Sequence, residues 1–201
     1  TRQDLAEYVK DGYRKNVVVF TCVREIANSA SEPELVVYKL DSDNERVIID
    51  DVKDPLVSLL DKPNPEQTQF EFLYEMFVHL HVFGRYCIHK ARSKAGRVIQ
   101  LWLLKPSRIK PIPGPDGAIE FYEYSIEGNK ARIPATDIID QRFPDPDDDY
   151  NGLSPITVLG RQGDLDNEAV DYLQAYFHNA RTPYGLLKFK GIVPKDERQR
   201  V

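Results

Sequence analysis

The chain has 201 residues, of which 41% are hydrophobic and 29% are charged, and its formal net charge is −5 at pH 7. This length and apolar content suffice for a real core in one or two domains, and no apolar run approaches the ~18 residues of a membrane span, so we expect a soluble globular chain without a membrane partner. The acidic balance and the absence of a basic stripe argue against a protein that grips nucleic acid, because affinity for DNA depends on lysines and arginines that displace counterions.

The N-terminal part is predicted to contain a helix followed by a strand hairpin. One helical face would carry Val19, Cys22, Val23, Ile26, Ala27 and Ala30. The stretch from Glu34 to Leu40 alternates as a strand, and the turn at Asp41 to Asn44 predicts a partner strand at Arg46 to Ile49. Both cysteines, Cys22 in this helix and Cys87 in a later strand pattern, are interpreted as small buried hydrophobic residues.

Three dipeptides predict helix starts, because proline is tolerated at the first helical position and a preceding Asp, Asn or Ser can cap the helix. The dipeptides are Asp54-Pro55, Asn64-Pro65 and Ser154-Pro155. The first predicts a short helix ending near Leu60. The second predicts a helix from about Pro65 to about Val82, with Asn64 and Gln67 forming a capping box. The third predicts the longest helix, from Pro155 to about Asn179.

The segment between the second and third of these helices is predicted to be a meander of short strands separated by glycine-containing and proline-containing turns. The strands are predicted at Arg85 to Ala91, Val98 to Leu104, Ile109 to Ile112, Glu120 to Ile126 and Ile138 to Arg142. A strand at Tyr184 to Phe189 and a helix start at Pro194 would follow the long helix. The fold class is therefore α+β, with a mostly antiparallel sheet and packed helices.

The long helix is predicted to need partners outside its own sheet, because ~25 residues at 1.5 Å per residue reach ~37 Å, which is longer than a small domain is wide. Its apolar arc is wider than one neighbouring helix would cover, and comprises Leu165, Ala169, Val170, Tyr172, Leu173, Tyr176 and Phe177. Asp164, Glu168 and Asp171 line the opposite side. From the residues alone, this acidic stripe is either an ordinary solvated face or a face with a functional role.

Six motifs in chain order carry a family resemblance. They are Cys22-Val23-Arg24-Glu25-Ile26-Ala27, Pro63 to Phe72, Gly84 to Ile88, Leu101 to Pro106, Asp137-Ile138-Ile139 and Gly152 to Ile156. Their order resembles that of the portal proteins of long-tailed bacteriophages, and the match spans almost the whole chain. One departure is Asp140, which stands where many family members carry a histidine and which suits a purely structural strand.

The resemblance implies a wing domain at 1–150, a stem helix at 151–180 and the start of a clip region at 181–201, with the chain a truncated N-terminal half. It implies a non-enzymatic, cofactor-free subunit of a dodecameric ring at the capsid vertex of the virion, assembled in the cytoplasm of the bacterial host. Terminase would drive double-stranded DNA through the channel, and capsid and tail-connector proteins would be further partners. We expect Asp164, Glu168 and Asp171 to face that channel, while the apolar arc packs against neighbouring subunits.

Three alternatives come from other classes of protein. Asp147, Asp149, Asn151 and Gly152 fall at the first, third, fifth and sixth positions of an EF-hand loop, but Val158 replaces the final glutamate, which favours a solvated acidic linker. A metal-dependent hydrolase would use His79, His81 and His89, although residues two apart on a helix point in different directions. A generic oligomeric interaction module would use the apolar arc of the long helix alone.

Overall fold

The computed structural model of the chain describes residues 12–49, 51 and 53–179. The helices of this part are α1 (Val17–Ser31), α2 (Pro55–Asp61), α3 (Gln69–Phe83), α4 (Pro155–Val158) and α5 (Gly160–Asn179). The strands are β1 (Val37–Leu40), β2 (Arg46–Ile49), β3 (Arg85–Arg92), β4 (Val98–Leu104), β5 (Ile109–Pro113), β6 (Ile119–Ile126), β7 (Asn129–Pro134) and β8 (Ile138–Arg142). The strand predicted at Tyr184 and the helix start predicted at Pro194 lie outside the described residues.

Every strand pairing in the described residues is antiparallel, which confirms the predicted α+β class. β1 and β2 form a separate hairpin, and the other strands form two sheets with the orders β4-β3-β8 and β5-β6-β7. Strand β7 was not predicted. Three of its six residues are polar and five of the six are exposed, so it lacks the alternation of apolar and polar residues that signals a strand.

Two buried clusters hold these elements together. One joins the two three-stranded sheets through Cys87, Leu104, Ile109, Tyr122 and Ile138. The other joins three helices through Val23 of α1, Val82 of α3 and Ile156 of α4. The long C-terminal helical region is therefore attached to the rest of the chain through Ile156.

The prediction of burial is confirmed for Cys87 but is wrong for Cys22, which is exposed. Cys22 precedes the buried Val23 on α1, and the residues that α1 buries are Val23, Ala27 and Ser31. The predicted apolar face of this helix is therefore only partly covered by the chain itself.

Helix α3 begins later than predicted, at Gln69 instead of Pro65. Its cap is Thr68, whose hydroxyl accepts from the backbone N–H of Glu71, while the Glu71 carboxylate accepts from the backbone N–H of Thr68. Asn64 is instead buried in the preceding turn, where its amide donates to Gln67 Oε1 at 2.9 Å and to the carbonyl of Leu101 at 3.0 Å. Asn64 thus ties the turn to β4, and the capping box lies four residues further on.

Helix α2 matches its prediction, since Asp54 Oδ1 accepts from Leu56 N at 2.8 Å and the helix begins at Pro55. The single long helix predicted from Pro155 is wrong, because α4 ends at Val158 and α5 begins at Gly160. The Ser154 hydroxyl donates to the Val82 carbonyl at 2.6 Å instead of capping α4. Two glycines at 160 and 163 also lower helix propensity at this point, by ~1 kcal/mol each relative to alanine.

A buried ion pair links the first residue of β3 to β8. Arg85 is 4% exposed, and its Nη2 lies 2.9 Å from Asp140 Oδ2. The same carboxylate oxygen accepts from the Tyr122 hydroxyl at 3.0 Å, and Arg85 Nη1 donates to Asn151 Oδ1 at 3.1 Å. Burial raises the pKa of the neighbouring Cys87 thiol to about 12, so this cysteine stays protonated. Asp140 therefore has a structural role at the centre of a polar cluster.

Two glycines bring the chain backbones together beside this cluster. Gly84 ends α3 with φ +73°, a conformation that other L-residues rarely adopt. A Cβ atom at Gly152 would overlap the carbonyl oxygen of Gly84, and one at Gly84 would overlap the backbone of Leu153. The Gly84 carbonyl also accepts from Phe143 N at 2.8 Å. The start of β3, the end of β8 and the segment entering α4 therefore meet in one backbone junction.

We predict that Thr68→Ala lowers the free energy of unfolding by ~1 kcal/mol, because it removes the N-cap of α3. Thr21→Ala, at an exposed position inside α1, is the matched control and should have little effect. Denaturant titration followed by circular dichroism measures both variants. Equal stability of the Thr68 variant and the wild type would contradict the observed helix start.

We predict that Asp140→Asn lowers the free energy of unfolding by about 3 kcal/mol or more, because it leaves the Arg85 charge buried without its carboxylate. The control is Glu25→Gln, which breaks the exposed 3.0 Å pair with Arg24 and should cost less than ~1 kcal/mol. Chemical denaturation of the two variants under identical conditions gives the comparison. A loss from Asp140→Asn no larger than the loss from Glu25→Gln would show that the buried pair does not stabilise the fold.

Candidate interaction surface

Helix α5 exposes the whole apolar arc that the sequence predicted. Leu165, Val170, Leu173 and Tyr176 are at least half exposed, and Tyr172 and Phe177 are 71% and 73% exposed. Ala169 is exposed as well. A helix in a folded protein gains most of its stability from packing its apolar face, and on α5 this face is exposed to solvent. Such a face is typical of a surface that another molecule covers.

The helical repeat divides this arc into two ridges, since successive residues turn by about 100°. The first, which we call the tyrosine ridge, comprises Leu165, Ala169, Tyr172 and Tyr176. The second, which we call the phenylalanine ridge, comprises Asp166, Val170, Leu173 and Phe177. The centres of the two ridges are about 100° apart around the helix. A single helix can therefore present two different apolar surfaces to two different neighbours.

The acidic stripe occupies a third side of the same helix. Glu168 and Asp171 are exposed, and they lie about 60° apart in projection. The backbone of Asp164 belongs to α5, but its side chain is outside the described part of the structure. The orientation of these three residues toward a channel stays a prediction.

An apolar groove lies where α1, α4 and the start of α5 meet. Its cavity has a volume of about 350 Å³, and its walls include Val18, Val19, Cys22, Ile26, Ile156 and Leu159. Asn16, His81 and Asp166 add polar atoms to the lining. Sequence reasoning missed this groove. The available signal was the run Val17-Val18-Val19-Phe20, which places apolar residues on more than one face of α1, and Val18 is indeed 67% exposed.

The three histidines of the hydrolase hypothesis have separate local partners. His79 is buried, with Nε2 3.6 Å from Glu75 Oε1, and burial lowers its pKa while Glu75 opposes that shift. His81 Nδ1 is 2.8 Å from the Phe77 carbonyl, and His89 lies on β3 opposite Trp102. In the part of the chain that the structure describes, no three His, Cys, Asp or Glu side chains are grouped to hold a metal ion.

The acidic loop before α4 is organised by its own hydrogen bonds. Asp148 accepts from the backbone N–H groups of Tyr150 and Asn151 at 2.8 and 2.9 Å, and from the Asn151 amide at 2.8 Å. These hydrogen bonds, led by that of the Asn151 side chain, lower the pKa of Asp148. The Asn151 oxygen that an EF-hand would direct to calcium accepts from Arg85.

Within the described ranges, no helix is both long and apolar enough to cross a membrane.

Two curated proteins of Rickettsia are similar to this chain in sequence. An uncharacterized protein of Rickettsia bellii (strain RML369-C) is 28% identical over 185 residues, and one of Rickettsia felis (strain ATCC VR-1525 / URRWXCal2) is 24% identical over 187 residues. Each alignment covers 90% of this chain and 46% of the relative. The chain therefore spans about half the length of the curated relatives that it matches.

Solved structures share the fold. A chain in the neck of an empty gene transfer agent particle, computed with C6 symmetry, aligns with a TM-score of 0.80 and 24% identity over 98% of this chain and 53% of that chain. A chain in the neck of the native particle, computed with C12 symmetry, aligns with a TM-score of 0.77 and 23% identity over 98% of this chain and 52% of that chain. An HK97 family phage portal protein from Corynebacterium diphtheriae aligns with a TM-score of 0.52 and 13% identity over 89% of this chain and 53% of that chain.

The sequence model of the phage portal protein family matches residues 17–201, which is nearly the whole chain. The resemblance carried by the six motifs is thus confirmed. Proteins of this family are structural and not catalytic, which removes the basis for the hydrolase hypothesis. The chain belongs to the phage portal protein family.

Proposed function

We propose that this chain is part of a portal subunit that assembles into a closed ring of twelve copies. The ring would occupy one vertex of a virion capsid and surround a channel for packaging and ejecting double-stranded DNA. The observation that carries this proposal is the apolar arc of α5, which is exposed in the part of the chain that the structure describes. Additional support comes from the family match and from the shared fold with chains of particle necks, one of them computed with C12 symmetry.

The proposed division of the subunit follows the junction around Gly152. Residues 1–150 would form the wing, residues 151–180 the stem helix and residues 181–201 the start of the clip. The buried contacts of Ile156 and the hydrogen bond from Ser154 to the Val82 carbonyl support this division, because they attach the stem to the wing at its first turn. Beyond that turn, the described side chains of α5 are exposed apart from the partly buried Asn167. Such a helix is suited to be covered by copies of the same subunit.

The acidic stripe would face the channel in this proposal. DNA that passed a basic wall would release counterions at each contact and bind tightly, whereas a wall of like charge lets it move. The channel would not distinguish one DNA sequence from another, because sequence is recognised through contacts with base edges and passage through the channel requires none. Terminase, capsid and tail-connector proteins would be the protein partners, and assembly would take place in the cytoplasm of the bacterial host.

We expect the whole polypeptide to form rings with a central hole in negative-stain electron microscopy, with mass photometry giving a mass close to twelve subunits. The reason is that packing in a closed ring would bury the exposed apolar arc against other copies. A generic interaction module would give monomers or small open complexes instead. A polypeptide that remains monomeric across the accessible range of concentrations would refute the proposal.

We expect charge reversal of the stripe, with Glu168→Lys and Asp171→Lys combined, to slow DNA transit several-fold in a packaging assay, because phosphates would then bind the wall. The effect should shrink as salt concentration rises, since salt screens these contacts. Glu45→Lys and Glu120→Lys combined, two exposed reversals outside α5, give the same change in net charge and should package normally. Packaging by the Glu168 and Asp171 variant at the wild-type rate would argue against a channel-facing stripe.

A further inference from the structure

The apolar groove between α1 and α4 is a second surface that the described part of the chain leaves open, and it is separate from the tyrosine ridge of α5. We infer that the tyrosine ridge of one subunit inserts into this groove on the adjacent subunit. This inference rests on the proposed ring and names the acceptor site that such a ring would use. It makes the subunit contact heterologous, with a donor ridge and an acceptor groove on each copy.

The donor and the acceptor on one copy cannot satisfy each other. Leu159 lines the groove, and α5 starts at the next residue. Asp166 of α5 also lines the groove, and at 1.5 Å per residue Tyr172 lies about 9 Å and Tyr176 about 15 Å beyond it along the helix axis. An intact α5 therefore holds both tyrosines beyond its own groove, so the tyrosines that enter a groove in the proposed ring come from another copy.

The side of α5 that adjoins the groove is known from Asp166. This residue lines the groove and belongs to the phenylalanine ridge. Val170, Leu173 and Phe177 continue the same ridge away from the groove, so groove and phenylalanine ridge make one extended acceptor surface. The tyrosine ridge points about 100° away and is left to serve as the donor.

The chemistry of the two surfaces matches. The groove is walled by aliphatic side chains, with the Asp166 carboxylate and the His81 imidazole adding polar atoms to its lining. A buried tyrosine needs an apolar slot for its ring and a hydrogen-bond partner for its hydroxyl, and this lining offers both. Tyr172 and Tyr176, at 71% and 50% exposure, supply the rings and the hydroxyls.

The tyrosine ridge supplies a large share of the area that a stable contact needs. An aromatic side chain buries ~150–250 Å² when it is fully covered, so Tyr172 and Tyr176 together supply up to ~300–500 Å², and Leu165 adds to this. A standard interface buries ~800 Å² on each partner, so the two tyrosines account for about half of the donor side.

The native Cys22 provides a probe of this contact, because it is exposed and lines the groove. We would introduce Ala169→Cys, which lies on the tyrosine ridge and retains both tyrosines, into the whole polypeptide. A short bis-maleimide should then join position 169 of one copy to Cys22 of the next and give a ladder of covalent oligomers. Adding Cys22→Ser should abolish the ladder. Glu168→Cys, one residue away on the acidic stripe, should give at least tenfold less crosslinked product.

A groove variant tests the same contact without a crosslink. Val18→Asp places a carboxylate on the exposed wall of the groove and should lower the apparent association constant of assembly about tenfold or more, while leaving thermal unfolding unchanged. Val17→Asp, at a 75% exposed valine on the opposite side of α1 from the groove, is the matched control and should assemble normally.

The outcomes separate this inference from the proposed function. Rings seen by electron microscopy without an Ala169→Cys ladder, or with an equal ladder from Glu168→Cys, would overturn the groove contact while the portal assignment stands. Normal assembly of the Val18→Asp variant would overturn it too. Absence of both rings and ladders would overturn the ring and the groove contact together.

Discussion

The buried pair between Arg85 and Asp140 is the interaction on which the rest of this structure depends. It joins the first residue of β3 to β8, recruits Tyr122 from the second sheet, and reaches Asn151 in the acidic loop. Removing one member of such a pair typically costs 3–5 kcal/mol, because the remaining charge stays buried. Four segments that are distant in sequence must therefore assemble together, and the point at which the chain enters α4 is fixed as a result.

This fixed point explains how a mostly solvent-exposed helix can leave the fold in a defined direction. Gly84 and Gly152 allow two backbones to touch, and Ile156 anchors the next turn in the core of α1 and α3. Helix α5 then extends beyond that core with its apolar residues exposed. A helical segment that is buried at its first turn and exposed along the rest of its length suits a subunit that packs against other copies of itself.

Local signals in the sequence were enough to predict element types but not the contacts between them. The Asp54 cap, the hairpin at Arg46–Ile49 and most strands follow from patterns within ten residues, and the structure confirms them. Asn64 and Thr68 are both residue types that commonly cap helices. The choice between them depends on the hydrogen bond from Asn64 to Leu101, 37 residues away. The exposure of Cys22 and the groove beside it likewise depend on where α4 packs against α1, and no pattern within either segment predicts that position.

The arrangement of α5 shows how one helix could serve both assembly and DNA passage in the proposed ring. Because 3.6 residues make a turn, sets of residues spaced by four and three form separate faces, and α5 carries three such sets. Glu168 and Asp171 belong to one face, while the tyrosine and phenylalanine ridges form the other two. In the proposed ring, a substitution on the acidic face would therefore change the channel wall without touching a subunit contact. This independence is what makes charge reversal and ridge crosslinking separate tests of separate surfaces.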